Sequence, residues 1–300
     1  MSFKLSLASL ALALALAGAG AAETVTHAQG ETVLDAVPQR VAAFDTASLD
    51  TLLALGVPVA GVTSGVMPDY LASRIDPETP RIGTLFEPDY EAVNALEPDL
   101  VIVGGRSAAK YPELAGMAPT IDMTVSRGDY LASARANVET LGRIFDKEAE
   151  AAALLADYDA EVAALRALAP DAGRVLVILT TGGRMSAHGA GSRFGVLHDD
   201  YGLAPAADGL DTGTHGQAIS HEFILETDPD WLFVVDRDAA IGREGQSAGQ
   251  LLDNELVQRS KAWKAGRVVY LDPALWYLVG GGITALTDAA RQIRTALAEG

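Results

Sequence analysis

Three arginines stand where they could bind an anion. Arg106 and Arg237 end two copies of one repeat, EAVNALEPDLVIVGGR (91–106) and EFILETDPDWLFVVDR (222–237), which align without gaps. Ligands of open α/β sheets bind beyond the carboxyl ends of the strands, so both guanidiniums are expected to face one cleft. Arg193 follows a glycine-rich turn in GAGSRFG. A single arginine at a strand end is more often a solvated charge, but the matched pair favours a ligand site.

Trp276, Tyr277 and His215 could supply a second kind of contact. The first two precede three glycines in DPALWYLVGGG, 272–282. Glycine lets a backbone approach a ligand closely, and tyrosine offers a phenol. His215 lies among small residues in DTGTHGQAISHEF, ahead of a predicted helix. These residues predict a ligand site, and the alternative is that Trp276 and Tyr277 pack in the core while His215 is a surface residue.

Other chemistry finds little support in the sequence. His27, His188 and His198 lack the i, i+4 spacing of a metal-binding helix, and His221 falls in the first turn of a predicted helix. The sequence has no phosphate-binding loop, dinucleotide fingerprint or Gly-x-Ser-x-Gly turn. We therefore expect a protein that is not an enzyme and has no cofactor of its own, with a hydrolase or a metal-dependent reductase as the alternative.

The N-terminus and the overall charge indicate where the protein works. MSFKLSLASLALALALAGAGAA (1–22) has one lysine, an apolar run and a small-residue end, which predicts a cleaved signal peptide. The chain has no cysteine, hence none that could carry a lipid, so we expect a freely periplasmic protein. A net charge of −18 argues against nucleic acid as a partner.

Each half of the chain alternates short apolar runs with amphipathic stretches, which predicts two α/β lobes with mostly parallel sheets. The predicted strands cover 40–45, 57–62, 99–105, 120–125, 174–181, 230–236 and 267–272. The predicted helices cover 48–56, 89–97, 111–118, 194–202, 220–228, 249–259 and 283–298.

One long helix is predicted between the lobes, with Asp146 as its N-cap and Pro170 at its end. Its buried stripe is expected to contain Leu155, Tyr158, Val162 and Leu165. The chain then divides into a signal peptide (1–22), an N-terminal lobe (23–145), a connecting helix (146–169) and a C-terminal lobe (170–300). The ligand cleft is expected between the lobes.

The two lobes, the single long helix, THGQAISHEF, PDWLFVVDR and LDPALWYLVGGG together resemble the substrate-binding proteins of iron–siderophore ABC importers. Within that family the resemblance is strongest to binders of catecholate siderophores. It implies two Rossmann-like lobes joined by one α-helix, and a monomer that captures a ferric siderophore and delivers it to an ABC permease in the inner membrane. The repeat alone also occurs in vitamin B12 and haem binders, so haem or a corrinoid is the alternative ligand.

The resemblance also implies roles for individual residues. Arg106, Arg193 and Arg237 match the arginines that such binders place around the anionic complex. His215 and Tyr277 match a pair that coordinates Fe(III) when a siderophore supplies only four of six donors.

Trp276 precedes Tyr277 in the same motif and is expected to line the ligand site. Glu91 and Glu222 match surface glutamates that dock on arginines of the permease. The chain departs from the lipoproteins of the family in having no cysteine after the signal peptide. The resemblance therefore implies a soluble periplasmic member.

Overall fold

The computed structural model describes residues 22–300, and the predicted signal peptide, 1–22, lies outside the described residues except for Ala22. The strands in this part of the chain form a two-stranded, a four-stranded and a six-stranded sheet. They are β1 (Glu23–His27), β2 (Gly30–Leu34), β3 (Val41–Ala43), β4 (Gly61–Val62), β5 (Leu100–Val103), β6 (Thr120–Asp122), β7 (Arg174–Thr181), β8 (Arg184–His188), β9 (Ala204–Pro205), β10 (Gln217–Ile219), β11 (Trp231–Asp236) and β12 (Val268–Leu271).

The α-helices pack around these sheets, and a π-helical turn, Ala274–Leu278, follows the last strand. They are α1 (Thr46–Ala54), α2 (Asp69–Ala72), α3 (Tyr90–Leu96), α4 (Tyr111–Ala115), α5 (Tyr130–Ile144), α6 (Glu148–Leu168), α7 (Val196–Asp199), α8 (His221–Thr227), α9 (Arg237–Ala240), α10 (Ala248–Leu252), α11 (Glu255–Gln258), α12 (Lys261–Lys264) and α13 (Ile283–Glu299). Within residues 22–300, no helix is long and apolar enough to cross a membrane.

Two α/β lobes are confirmed, each built on its own sheet. The N-terminal sheet has the order β4-β3-β5-β6 and is parallel throughout. The C-terminal sheet has the order β10-β8-β7-β11-β12, with β9 paired to β7. Its strands β7, β9, β11 and β12 are parallel, whereas β8 pairs antiparallel with β7, and β10 pairs antiparallel with β8.

Several elements differ from the predicted ones. Strand β8 was not predicted; it leaves β7 through Gly182 and Gly183, whose φ angles of 54° and 72° suit a tight hairpin. The strands β1, β2 and β10 and the helix α5 were also not predicted. The helix expected at 194–202 shortens to α7, and that expected at 249–259 divides into α10 and α11.

The sequence repeat is a structural repeat. Helices α3 and α8 begin in the same way, since the side chain of Asp89 accepts the amide of Ala92 and that of Ser220 accepts the amide of Phe223. Both helices also end in the same way, on a residue with left-handed φ, 46° at Glu97 and 44° at Asp228.

The aspartate of each Pro-Asp pair accepts a hydrogen bond from the start of a neighbouring strand. Asp99 accepts the amide of Arg40 at 2.7 Å, and Asp230 accepts the amide of Arg174 at 2.8 Å. Arg40 immediately precedes β3 and Arg174 begins β7, which are central strands of the two sheets. The aspartate of each Pro-Asp pair therefore links the start of its own strand to the start of a central strand in the same lobe.

Helix α6 follows the last strand of the N-terminal sheet and precedes the first of the C-terminal sheet. The predicted stripe is confirmed, because its four side chains are all buried: Leu155, Tyr158, Val162 and Leu165. The predicted N-cap is wrong. Asp146 has φ 53°, and Asp146 N donates to Arg143 O while Lys147 N donates to Gly142 O. These bonds form a Schellman motif, so Asp146 ends α5 and does not begin α6.

One hydrophobic core runs through both lobes. Its buried side chains include Leu52 and Leu100 of the N-terminal lobe and Val175 and Phe233 of the C-terminal lobe. Helix α13 packs against α1 and α6 and closes this core. The boundaries proposed at 145 and 169 stay predictions.

Candidate functional site

A cavity of about 520 Å³ lies between the lobes, at the carboxyl ends of the parallel strands. From the N-terminal lobe it is lined by residues that follow β3, β5 and β6, including Asp45, Arg106 and Thr124. From the second half of the chain it is lined by Arg193, Thr214 and the segment 276–280. This is the location that the strand-end rule predicts for a ligand.

The three predicted arginines converge on Tyr277. Their Cζ atoms lie 5.3 Å (Arg106), 4.1 Å (Arg193) and 5.6 Å (Arg237) from the centre of the Tyr277 ring. Such distances are those of cation–π contacts. Arg193 and Arg106 precede Tyr277 by 84 and 171 positions in the sequence, and the fold brings all three together.

Each arginine also donates a hydrogen bond to this turn. Arg106 Nη2 and Arg193 Nη2 donate to the carbonyl oxygen of Tyr277, at 2.7 and 2.8 Å. Arg106 Nη1 reaches the carbonyl of Leu278 at 3.2 Å. Arg237 Nε donates instead to the Tyr277 hydroxyl, at 2.8 Å. Each guanidinium therefore uses part of its donor set to hold the turn that carries Tyr277.

The phenol of Tyr277 is half-buried in a cationic environment. Burial acts to raise its pKa, but the hydrogen bond from Arg237 and the charges of Arg193, Arg237 and Arg106 outweigh that effect. The pKa of Tyr277 is lowered as a result. A nearby positive charge stabilises the phenolate, so this tyrosine is easier to deprotonate than an ordinary one.

A second cavity of about 330 Å³ adjoins the first and is also lined by Tyr277. Arg106 and Tyr277 line both cavities, Arg193 lines the first, and Arg237 lines the second. The two cavities therefore adjoin each other, and we describe them as two chambers of one cleft.

Trp276 lines the first cavity but is largely buried, with an exposed fraction of 7%. Its indole nitrogen donates to Gln292 at 3.1 Å, and its ring packs edge-on against Phe194, 6.3 Å between centroids. Trp276 thus supports the turn that carries Tyr277, and its role as a ligand contact stays a prediction.

His215 is exposed, and its neighbour Thr214 lines the first cavity. His215 itself is not among the described residues that line either cavity. Gly216 shapes its loop with φ 64°, and a Cβ atom there would collide with the ring of His188. The structure therefore places His215 at the edge of the first chamber, and its pairing with Tyr277 on iron stays a prediction.

Arg127 is a cavity residue that was not predicted. It lines the first chamber and donates from Nη1 to Thr214 Oγ1 at 2.9 Å, from one lobe to the other. It lies in the loop after β6, so the strand-end rule that selected Arg106 could have identified it. Asp45 and Tyr130 line the same chamber and were also missed.

Glu91 and Glu222 are both exposed in the first turns of α3 and α8. The pKa of Glu222 is lowered, mainly by a hydrogen bond from Ser220. The two glutamates occupy equivalent positions in the structural repeat, as their spacing predicted. Their docking role stays a prediction.

Comparison with known proteins agrees with this architecture. The model of the family described as periplasmic binding protein matches residues 41–275. The chain belongs to that family. Membership confirms the extracytoplasmic class that the sequence predicted.

Among periplasmic binding proteins with known ligands, the chain is similar to the petrobactin-binding protein of Bacillus subtilis. The two are 41% identical over 263 residues, which is 87% of this chain and 83% of the relative. The crystal structure of that protein superimposes with a TM-score of 0.88 over 92% of this chain and 98% of the other.

Two Vibrio proteins show the same similarity. The ferric-anguibactin-binding protein of Vibrio anguillarum is 35% identical over 268 residues, 87% of this chain and 83% of the relative. The catecholate-siderophore-binding protein of Vibrio cholerae is 30% identical, with a TM-score of 0.84 over 93% of this chain and 100% of the other. All three relatives are binding proteins by name.

Proposed function

We propose that this periplasmic binding protein captures a ferric catecholate siderophore and delivers it to an ABC permease of the inner membrane. The observation that carries the proposal is the convergence of Arg106, Arg193 and Arg237 around Tyr277 beside a cavity between the lobes. Relatives that bind petrobactin, anguibactin and catecholate siderophores support it.

The charge of the site suits such a ligand. Iron(III) held by catecholates is an anion with oxygen atoms at its surface, and arginine stays charged and binds oxygen anions through a fork of N–H donors. The net charge of −18 does not oppose this, because salt screens distant charges beyond roughly 8 Å at physiological ionic strength. The local arginines therefore set the potential that the ligand meets.

Tyr277 and His215 would complete the iron shell of a siderophore that offers only four donors. A phenolate is a hard oxygen donor that suits Fe(III), and an imidazole is an acceptable nitrogen donor. The arginines that attract the anion also lower the pKa of Tyr277, and their effect exceeds that of burial, which acts to raise it. The same cations would thus prepare the phenol for loss of its proton when iron arrives.

The remaining features of the proposal follow from the sequence. We propose that the protein is a monomer, exported by the signal peptide 1–22 and free in the periplasm without a lipid anchor. It would bind no nucleic acid, perform no catalysis and hold no cofactor apart from its transported ligand.

Titration of a panel of ferric chelates tests the proposal, with quenching of Trp and Tyr fluorescence as the measurement. His215→Ala and Tyr277→Phe should each weaken a tetradentate bis-catecholate at least tenfold, about 1.4 kcal/mol. They should change a hexadentate tris-catecholate far less, because its iron has no open position. Tyr277→Phe should also shift the charge-transfer band of the complex, since one phenolate donor is lost.

Tyr270→Phe is the matched control, because Tyr270 is exposed on β12 and away from both cavities. Equal losses for the two chelates, without a spectral shift, would reduce His215 and Tyr277 to lining residues. Absence of chelate binding together with a haem or corrinoid spectrum after loading would contradict the proposed function.

A further inference from the structure

The two chambers of the cleft share one wall. The residues that line both are Thr46, Leu85, Phe86, Arg106, Tyr277 and Leu278. A ligand that rests on this wall in the first chamber can therefore continue into the second without leaving the protein surface. The chambers are two parts of one binding cleft.

The second chamber differs from the first in its own lining. It is bounded by the loop 63–67 of the N-terminal lobe and by Ile241 of the C-terminal lobe, with Val66 and Met67 adding apolar surface. The polar groups contributed by this loop are the hydroxyls of Thr63 and Ser64. No carboxylate occurs among the described residues that line this chamber.

The cations of the second chamber are already engaged. Arg237 donates to the Tyr277 hydroxyl at 2.8 Å and to Thr181 Oγ1 at 3.2 Å, and its Nη1 lies 3.8 Å from the buried carboxylate of Asp238. Arg106 directs two of its donors at carbonyl oxygens of the turn.

The first chamber is lined by three arginines, Arg106, Arg127 and Arg193, which also donate to the protein, and by the carboxylate of Asp45. Its larger volume, about 520 Å³ against about 330 Å³, suits the bulky iron-bearing part of a chelate.

Loops of the two lobes approach each other beside the second chamber. A Cβ atom at Gly242 would lie 3.3 Å from Val66 Cγ2, so the loops of the two lobes meet at this point. A ligand group in the second chamber would therefore contact residues of both lobes.

We infer that the second chamber receives an uncharged, apolar extension of a ferric chelate whose anionic, iron-bearing part occupies the first chamber. The inference rests on the proposed function and adds to it the chemical class of the ligand. Apolar surface removed from water by Val66, Met67 and Ile241 supplies the affinity for the extension. Chelates that carry such an extension are bound more tightly than compact ones.

Two ferric chelates test the inference: a bis-catecholamide on a short diamine linker, and the same compound with a phenyl group on the linker. We expect the wild-type protein to bind the phenyl compound at least tenfold more tightly. Val66→Trp, which fills the chamber, should reduce this gain to less than about threefold, a loss of roughly 0.7 kcal/mol or more. Its affinity for the short compound should not change.

Val33→Trp is the matched control, since Val33 is 56% exposed on β2 and Val66 is 52% exposed, but Val33 lines neither cavity. Ile241→Ala tests the opposite lobe and should lower the gain several-fold by removing apolar surface. Equal affinities of the wild type for the two compounds would overturn the inference. A gain in affinity that survives in both Val66→Trp and Ile241→Ala would also overturn it.

Other outcomes separate the two proposals. Loss of both compounds in Val66→Trp, with normal binding in Val33→Trp, would place the iron-bearing part in the second chamber and overturn the assignment. A wild-type protein that binds neither compound would contradict the proposed function and, with it, this inference.

Discussion

The two copies of the repeat agree up to their strands and differ beyond them. In the N-terminal copy Gly104 and Gly105 lead from β5 to Arg106, whereas in the C-terminal copy Asp236 ends β11 and caps the helix that Arg237 begins. In both copies the next residue forms a hydrogen bond to the residue that directly follows a central strand of its lobe. Ser107 Oγ donates to Phe44 O, and Asp238 accepts the amide of Gly182.

The consequence is that equivalent arginines contact different parts of one residue. Arg106 reaches the main chain of Tyr277, and Arg237 reaches its hydroxyl. A duplicated unit therefore places both guanidiniums at the cleft, but the chain that follows each strand decides what they bind. Both lobes therefore contribute an arginine to the cleft, although the two arginines contact different groups of Tyr277.

The two glutamates give the largest expected effect. Replacing Glu91 and Glu222 together by alanine should abolish uptake of the ferric chelate, because both lobes are proposed to dock on the permease through these charges. Chelate affinity should stay within about threefold of the wild type. Uptake of radioactive iron by cells and fluorescence titration of the purified protein measure the two quantities.

The single variants sharpen the comparison of the lobes. If the docking surface is symmetric, Glu91→Ala and Glu222→Ala should reduce uptake equally. A loss of chelate affinity in the double variant would show that the glutamates face the cleft.

The arginines come next in size. Arg106→Gln and Arg237→Gln should each weaken both the tetradentate and the hexadentate chelate by about 100-fold, roughly 2.8 kcal/mol, because each removes a positive charge beside Tyr277, which lines the chamber proposed for the anion. Arg174→Gln is the control, since Arg174 begins β7 away from both cavities. Titration that finds only one of the two cleft arginines important would break the functional equivalence of the lobes.

Asp50 lies where α1 of the N-terminal lobe contacts the start of α13. This buried residue of α1 accepts the amides of Thr284 and Ala285 at the start of α13. Burial raises its pKa from 3.8 to about 6 in the folded protein, despite these hydrogen bonds. The folded state therefore holds the proton more tightly than the unfolded state, and this contribution to stability grows as the pH falls from 7 to 5.

The expected gain is about 1 kcal/mol between pH 7 and pH 5. It should be absent in Asp50→Asn, which keeps an oxygen for the two amides but does not titrate. Urea unfolding of both proteins at several pH values measures the difference. Parallel pH profiles would contradict the raised pKa.

Glu97 and Asp228, the residues with left-handed φ that end α3 and α8, should have smaller effects on stability, and these effects should differ between the two copies of the repeat. Glu97→Gly should stabilise the protein by roughly 0.5–1 kcal/mol, because glycine adopts a positive φ without strain. Asp228→Gly should bring no gain, because Asp228 also accepts the amide of Lys261 at 2.8 Å and that bond would be lost. Thermal unfolding of both variants provides the test, and an equal gain in both would show that the Lys261 contact contributes nothing.

The smallest effect concerns closure of the lobes. Because the core is continuous through α6 and α13, we expect little rotation of the lobes when a chelate binds. Small-angle scattering of free and loaded protein should give almost equal radii of gyration. A large compaction would mean that the two lobes move as separate bodies.

Most of the fold was accessible from the sequence, because buried parallel strands are nearly continuous apolar runs and the repeat revealed both lobes. The helix α5 was missed although Ala134, Val138 and Leu141 recur at helical spacing. The contact between Arg127 and Thr214 joins residues 87 positions apart and depends on how the lobes face each other. Local patterns carry no information on such a distance, nor on the chambers that Tyr277 lines.

The hydrogen bond from Thr284 to Asp50 joins residues 234 positions apart. During synthesis the N-terminal lobe is made first, yet α1 obtains the partner for its buried carboxylate only when the last helix has been made. Contacts of such long separation form late and slow folding, because the entropy of closing the loop must be lost first. The native packing around Asp50 therefore has to wait for the complete chain, and a chain that stopped before α13 would leave this buried carboxylate without the two amides that it accepts.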